Sequence, residues 1–294
     1  MTTLHEEARA VLRQSDFRPS RRLGQNFLVH NNVIESILRL LDLAPEDDVV
    51  EIGAGLGFLT RRLVEAARTV WAIEVDPVLV QKLKASPTGA HPALRLMHND
   101  ILEVSLDAFL PSHKVKLVGN LPYSISSPVL FRLLDWRTRF SSLVLMVQKE
   151  VADRIASAPG SKSYGTLSVT CQIHGRIVEK ISVSPEAFFP KPKVRSAILK
   201  IELYDEPLIP APELPLFRGL VRAAFGQRRK TLGNGLSHWL QRSKGEVARF
   251  LEDQSIDPRR RGETLTIEEF MRLSRALDRT SLAGATHQDH ARAP

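Results

Sequence analysis

Five short apolar runs, "DVVEIGAG", "TVWAIEVD", "LRLMHND", "VKLVGN" and "SLVLMVQ", alternate with amphipathic stretches through the first two-thirds of the chain. The runs are rich in Val, Ile and Leu and lack a polar residue at every second position, the pattern of strands covered on both faces. Between them lie helical patterns: "FLTRRLVEAA", then "PVLVQKLKA" and "PVLFRLLDW", each with proline in its first turn. Such β-α alternation predicts an open, mostly parallel α/β sheet sandwiched by helices, a doubly wound, Rossmann-like fold class. Two later segments, "LSVTCQIHG" and "VRSAILKIELY", read as further strands with no strong helix between them, so the sheet is expected to end in an antiparallel pair.

"YDEPLIPAPELP", Tyr204 to Pro215, carries four prolines and no helical period. It places a boundary between a first domain, 1–205, and a second, 206–294. Beyond it "LFRGLVRAAFG", "TLGNGLSHWLQ", "GEVARFLEDQ" and "TIEEFMRLSRAL" read as short amphipathic helices, a small all-helical domain. The last residues, "SLAGATHQDHARAP", are expected to be disordered.

Composition narrows the function classes. With 294 residues and 43% hydrophobic content, both domains can bury a core. A net charge of +8 favours a polyanionic partner. The single cysteine, Cys171, excludes an intramolecular disulfide and any cysteine-based metal cluster. No run approaches the roughly 18 apolar residues of a membrane span, and "MTTLHEEARAVLRQSDF" has no apolar signal core. A cytoplasmic protein with no membrane partner and no metal is expected.

"EIGAGLGFLT" sets Gly53, Gly55 and Gly57 on the turn from the first strand to a helix, where glycine lets the backbone approach a ligand and presents amides to it. Phe58 stands where a dinucleotide fingerprint requires glycine, which disfavours a dehydrogenase. Glu74, at the end of the next strand, can accept both hydroxyls of a ribose. Asp76 precedes Pro77 and reads as a helix cap. Asp100 closes the third strand and can accept from an adenine amino group, or cap a helix. Asn120 follows the fourth strand, in "NLPYSISSP". Gly53, Glu74, Asp100 and Asn120 thus fall on the carboxyl-end rim where open α/β sheets bind ligands.

That rim suits methyl transfer to an exocyclic amine. The Asn120 side-chain oxygen and a backbone carbonyl of Leu121 or Pro122 can hold the two N–H bonds of such an amine, by positioning alone. Pro122 removes a competing donor, and Tyr123 offers a face on which an extruded base stacks. "SPEAFFPKPKVRS" offers Phe188 or Phe189 for the other face, beside Lys191, Lys193 and Arg195. Arg218, Arg222, Arg228, Arg229 and Lys230 form a candidate phosphate-binding face with no acid between Leu216 and Lys230. Arg259 to Arg261 and the run Arg18, Arg21, Arg22 read as ordinary solvated charge.

"LGQNFL" at 23–28, "EIGAGLGFLT" at 51–60, "IEVD" at 73–76, "ND" at 99–100, "NLPYSISSP" at 120–128, "QKEVADRI" at 148–155 and "FFPKPKVRS" at 188–196 together resemble the ribosomal RNA adenine N6-dimethyltransferase family, in its bacterial small-subunit branch. "FGQRRKTLGNGL" at 225–236 resembles it too. The resemblance implies a Rossmann-like class I methyltransferase sheet, S-adenosyl-L-methionine as cofactor, and dimethylation at N6 of two adjacent adenosines in the 3′-terminal hairpin of 16S-type small-subunit rRNA. By the same resemblance Asn26, Leu28, Gly53, Gly55, Glu74, Asp100 and Asn120 contact the cofactor, while Asn120, Leu121, Pro122, Tyr123 and Phe188 form the target-base site. The implied partner is rRNA within an immature small subunit, met by a monomer. Phe189 departs from the family, where a small or polar residue is more frequent. Two alternatives stay open: a non-catalytic small-subunit assembly factor, and an N6-adenine methyltransferase acting on large-subunit rRNA or DNA.

Overall fold

Asp48–Ile52 carries five consecutive buried residues, as a strand covered on both faces must, and it is an interior strand, third in a seven-stranded sheet. The computed structural model describes residues 3–14, 17–20, 22–227 and 230–279. In chain order its elements begin with α1 (Leu4–Gln14), β1 (Phe27–Leu28), α2 (Asn31–Leu41), β2 (Asp48–Ile52), α3 (Phe58–Ala66), β3 (Thr69–Glu74), α4 (Pro77–Lys84), β4 (Leu94–His98), β5 (Val115–Asn120), α5 (Ser126–Asp135), β6 (Phe140–Gln148) and α6 (Lys149–Ile155). They continue with α7 (Thr166–Gln172), β7 (Gly175–Val183), β8 (Phe188–Phe189), β9 (Ser196–Leu203), α8 (Leu214–Phe225), α9 (Leu232–Leu240), α10 (Lys244–Asp253) and α11 (Ile267–Asp278).

The sheet order is β4-β3-β2-β5-β6-β9-β7. Strands β2 to β6 pair in parallel, and β9 runs antiparallel to β6, with Ser196 opposite Gln148. This is the expected class of fold. Helix starts follow local chemistry: Asp76 caps α4, its Oδ1 accepting from the amides of Val78 and Leu79 at 2.9 and 3.4 Å, with Pro77 in the first turn.

Two departures concern segments too short or too polar for periodicity to decide. "LSVTCQ" is helix, α7, and not strand: Ser168 accepts the Gly165 amide at 3.1 Å, and Val169 and Cys171 are buried. The strand comes later, as β7, whose interior alternates between exposed and half-buried residues. Phe27–Leu28 and Phe188–Phe189 form a separate two-stranded antiparallel ladder, with Phe27 opposite Phe189 and Leu28 opposite Phe188. Helix α1 buries Leu4, Ala8 and Leu12 in the same apolar cluster as that ladder.

The chain divides into two units, 1–152 with 176–205, and 153–175 with 206–294. Residues 153–175, assigned to the first domain above, belong with the second. Tyr164, Val169 and Ile173 are buried in one cluster with Leu220, Leu236 and Phe270 of the helices, and the Leu208 amide donates to Ile173. Ile209, inside the proline-rich segment, is fully buried in that cluster. Among the described residues no helix is long and apolar enough to cross a membrane. The terminal segment expected to be disordered lies, from Thr280 on, outside the described residues.

Candidate active site

After β2 the chain winds outward through β3 and β4, then returns so that β5 lies on the other side of β2. The strand order reverses between β2 and β5, and the crevice beyond their carboxyl ends is where such a sheet opens to a ligand. A cavity of about 210 Å³ occupies that place, lined among others by Asn26, Gly53, Gly55, Glu74, Asp100 and Asn120. Leu121, Pro122 and Tyr123 line it as well.

Backbone conformation explains the glycines. Gly53 and Gly55 have φ of 76° and 57°, in the left-handed region that L side chains rarely adopt. A Cβ on Gly55 would also stand 3.1 Å from the Phe27 ring. The turn thereby brings bare backbone to the cavity wall.

Glu74 is 6% exposed. Its Oε2 accepts the Gly55 amide and its Oε1 the Asp76 amide, both at 2.9 Å. Burial raises its pKa, and these two amide donors oppose the rise. The carboxylate is held rigidly at the wall, with lone pairs left for ligand hydroxyls. Asp100 lies two residues beyond the end of β4. Its Oδ1 accepts the Leu102 amide at 2.8 Å, so it caps a turn while also lining the cavity.

Asn120 Nδ2 donates to the backbone carbonyl of Asn26 at 2.9 Å. That commits the donor end of the amide to protein and leaves Oδ1 as the acceptor end. Pro122 accepts the Ile125 amide at 3.1 Å, which closes the turn after β5. The Tyr123 hydroxyl is 2.6 Å from the Ser196 hydroxyl on β9. Burial raises the tyrosine pKa against that hydrogen bond, so the ring is neutral and tethered at its far end.

A second buried acid lies beneath the glycine turn. Glu51 is 2% exposed and accepts from the Thr60 hydroxyl at 2.7 Å. Burial pushes its carboxyl up to about 7, with Glu74 adding to the rise.

Two expected site residues are not among the residues lining this cavity. Phe188 is 1% exposed and belongs to the apolar core. Its pairing with Leu28 in the ladder turns it inward, and it does not line the cavity, so Tyr123 and Phe188 do not form an aromatic clamp. Phe189 is half-buried against α1, edge-on to His5 at 5.2 Å and 5.7 Å from the Arg9 guanidinium. Leu28 is buried too, and it lines a smaller space of about 40 Å³ shared with Glu51, Gly53 and Asn120.

In the helical unit Arg222 and Lys230 are exposed and Arg218 half-buried. Arg228 and Arg229 lie outside the described residues, as does Arg21. Two members of the later arginine run are paired within the unit: Arg259 with Asp257, and Arg260 through two hydrogen bonds to the Glu269 carboxylate, at 2.6 and 2.9 Å. Sequence reasoning passed over Gln25 and Ser196, although both stand inside quoted motifs. Their partners lie 51 and 73 residues away, so only the fold reveals them.

The residues at the cavity suit an adenosine-containing cofactor. Glycine backbone gives close approach, a buried carboxylate stands ready for ribose hydroxyls, and Asp100 is an acceptor beside the apolar Ile73, Val75 and Ile101.

Comparison with known proteins agrees with this geometry. Residues 16–278 match the family described as ribosomal RNA adenine dimethylase. The chain is 40% identical over 274 residues to a ribosomal RNA small subunit methyltransferase A from Syntrophus aciditrophicus, covering 92% of this chain and 98% of that one. It is 42% identical over 270 residues to the protein of the same name from Geobacter metallireducens, covering 90% and 98%. Among solved structures, the 23S rRNA methyltransferase ErmE superposes with a TM-score of 0.66 at 27% identity, over 86% of this chain and 100% of that one. A dimethyladenosine transferase from Plasmodium falciparum shares the fold, with a TM-score of 0.74 at 24% identity over 86% and 97%.

Proposed function

The chain belongs to the ribosomal RNA adenine dimethylase family, and from that premise we propose that it dimethylates N6 of two adjacent adenosines in the 3′-terminal hairpin of small-subunit rRNA, within an immature subunit. It is an S-adenosylmethionine-dependent rRNA adenine methyltransferase. The bound cofactor supplies an electrophilic methyl group.

The carrying observation is the orientation of Asn120. With Nδ2 held by the Asn26 carbonyl, Oδ1 is the end left to accept from an incoming amine. An adenine amino group is a poor nucleophile because its lone pair is delocalised into the ring. Accepting one N–H at Asn120 Oδ1 and the other at a backbone carbonyl favours a pyramidal nitrogen with its lone pair aimed across the cavity. The Pro122 carbonyl already accepts the Ile125 amide, which favours the Leu121 carbonyl as the second acceptor. Pro122 brings no N–H to compete for either oxygen. Tyr123, neutral and held by Ser196, is the stacking face for the base.

Gly53, Gly55, Glu74, Asp100 and the Asn26 segment would hold the cofactor. We assign RNA gripping to the helical unit, through Arg218, Arg222 and Lys230 together with Arg228 and Arg229. The sequence supports this with no acid between Leu216 and Lys230.

Mass spectrometry of rRNA from cells with and without the protein tests the proposal. Loss of two N6,N6-dimethyladenosines from the 3′ hairpin is expected. A changed adenine in large-subunit rRNA, or an unchanged small-subunit hairpin, overturns it.

A further inference from the structure

Ser20 and residues 22–28 cross from α1 to the ladder, and Arg22 to Phe27 make one wall of the cavity. Glu74 and Val75, at the end of β3, line the same cavity. The Gln25 side chain joins the two segments. Its Nε2 donates to Asp76 Oδ2 at 2.7 Å across 51 residues of sequence.

Each atom at this bridge is already committed. Gln25 Oε1 accepts the Ser20 amide at 2.6 Å, so the side-chain NH₂ has to face Asp76. Asp76 Oδ1 is spent on capping α4, so Oδ2 has to face Gln25. The Asp76 amide in turn donates to Glu74, the carboxylate assigned to the ribose. The bridge therefore ends one hydrogen bond away from the cofactor's place. Asp76 is 7% exposed, so water competes poorly for its oxygen.

We propose that Gln25 is a positioning residue for cofactor exchange, a latch that holds the 22–28 segment against the cavity and sets how fast the demethylated nucleoside product leaves. The proposal rests on the cofactor reading above. It adds that product release is controlled by a glutamine whose side-chain oxygen is bound by the Ser20 amide and whose NH₂ is held by Asp76.

The fixed donor and acceptor roles supply a strict test. Gln25→Glu sets two carboxylates against each other. Asp76→Asn keeps the cap through its oxygen but sets two NH₂ groups against each other. Combining the two substitutions restores one hydrogen bond with its direction reversed, since the amide introduced at position 76 can donate to the carboxylate introduced at position 25.

Two measurements read the latch. In ligand-free protein, trypsin cleavage after Arg22, followed by mass spectrometry, should quicken in each single variant and return towards wild type in the double. By stopped flow, S-adenosylhomocysteine should dissociate roughly tenfold faster from each single variant, the effect of losing one hydrogen bond to a charged acceptor, and near the wild-type rate from the double. Unchanged cleavage and unchanged dissociation in the single variants overturn the latch. So does a double variant no better than either single one. Failure of wild-type protein to bind S-adenosylhomocysteine overturns the cofactor reading and the release role together, and the cleavage pattern separates that outcome from failure of the bridge itself.

Discussion

Asn120 donates its side-chain NH₂ to the backbone carbonyl of Asn26 at 2.9 Å, which joins the end of β5 to the segment that walls the cavity and leaves the amide oxygen as the acceptor end. Asn120→Ala removes the proposed acceptor while leaving the strand intact. Methyl transfer under single-turnover conditions should fall about a hundredfold, the usual scale for one preorganised polar group, with thermal stability changed little. Asn120→Asp should be no better, since a carboxylate cannot donate to the Asn26 carbonyl. Near-normal turnover in either variant would remove Asn120 from the mechanism.

Tyr123 and Ser196 share one hydroxyl–hydroxyl contact at 2.6 Å. Tyr123→Phe and Ser196→Ala should each lower kcat/KM a few-fold, and the double variant no further, because both break the same tether. Tyr123→Ala should cost roughly tenfold to a hundredfold, the worth of stacking one base. Additive effects in the double variant would show that the two residues act separately.

Glu51 predicts a pH dependence of stability. Its carboxyl is raised from 4.5 to about 7 in the folded chain. The folded state then holds the proton more tightly than the unfolded state. The stabilisation from this group is fully present below pH 4.5 and is lost as pH rises through 7. Glu51→Gln keeps an acceptor for Thr60 and cannot ionise. Urea unfolding of the cofactor-free protein at about pH 5 and about pH 8 should show a smaller difference in the variant, by on the order of 3 kcal/mol. An identical difference in the two proteins would refute the raised pKa.

Reversing charge at Arg218, Arg222 and Lys230 together should weaken binding to small-subunit rRNA and reduce the slope of log affinity against log salt by roughly 2–3, while S-adenosylhomocysteine affinity stays the same. Arg260→Ala provides the contrast. Its guanidinium is engaged by Glu269 and Thr264, so it should lower melting temperature and leave the salt slope alone. An unaltered slope in the triple variant would place the RNA face elsewhere.

The central strands β2, β5 and β6 were readable because they are buried on both faces, and that requirement writes itself into consecutive apolar residues. Asp76 was readable as a cap because a short acceptor before proline has few other uses. Segment 167–172 misled because Val and Thr suit strands intrinsically, and its burial among helices decides otherwise. The ladder of Phe27–Leu28 with Phe188–Phe189 has two residues a side, too few to carry a period.

From sequence alone came the β-α alternation of the parallel part of the sheet, the rim carrying Gly53, Glu74, Asp100 and Asn120, and the family, because these depend on local burial patterns and on residue types at strand ends. Tertiary structure alone decided which phenylalanine is buried, which end of the Asn120 amide is committed to Asn26, and that Gln25 reaches Asp76. The physical reason is the same in all three: a side chain's orientation is set by the partner that satisfies or covers it, and here those partners lie on segments distant in sequence.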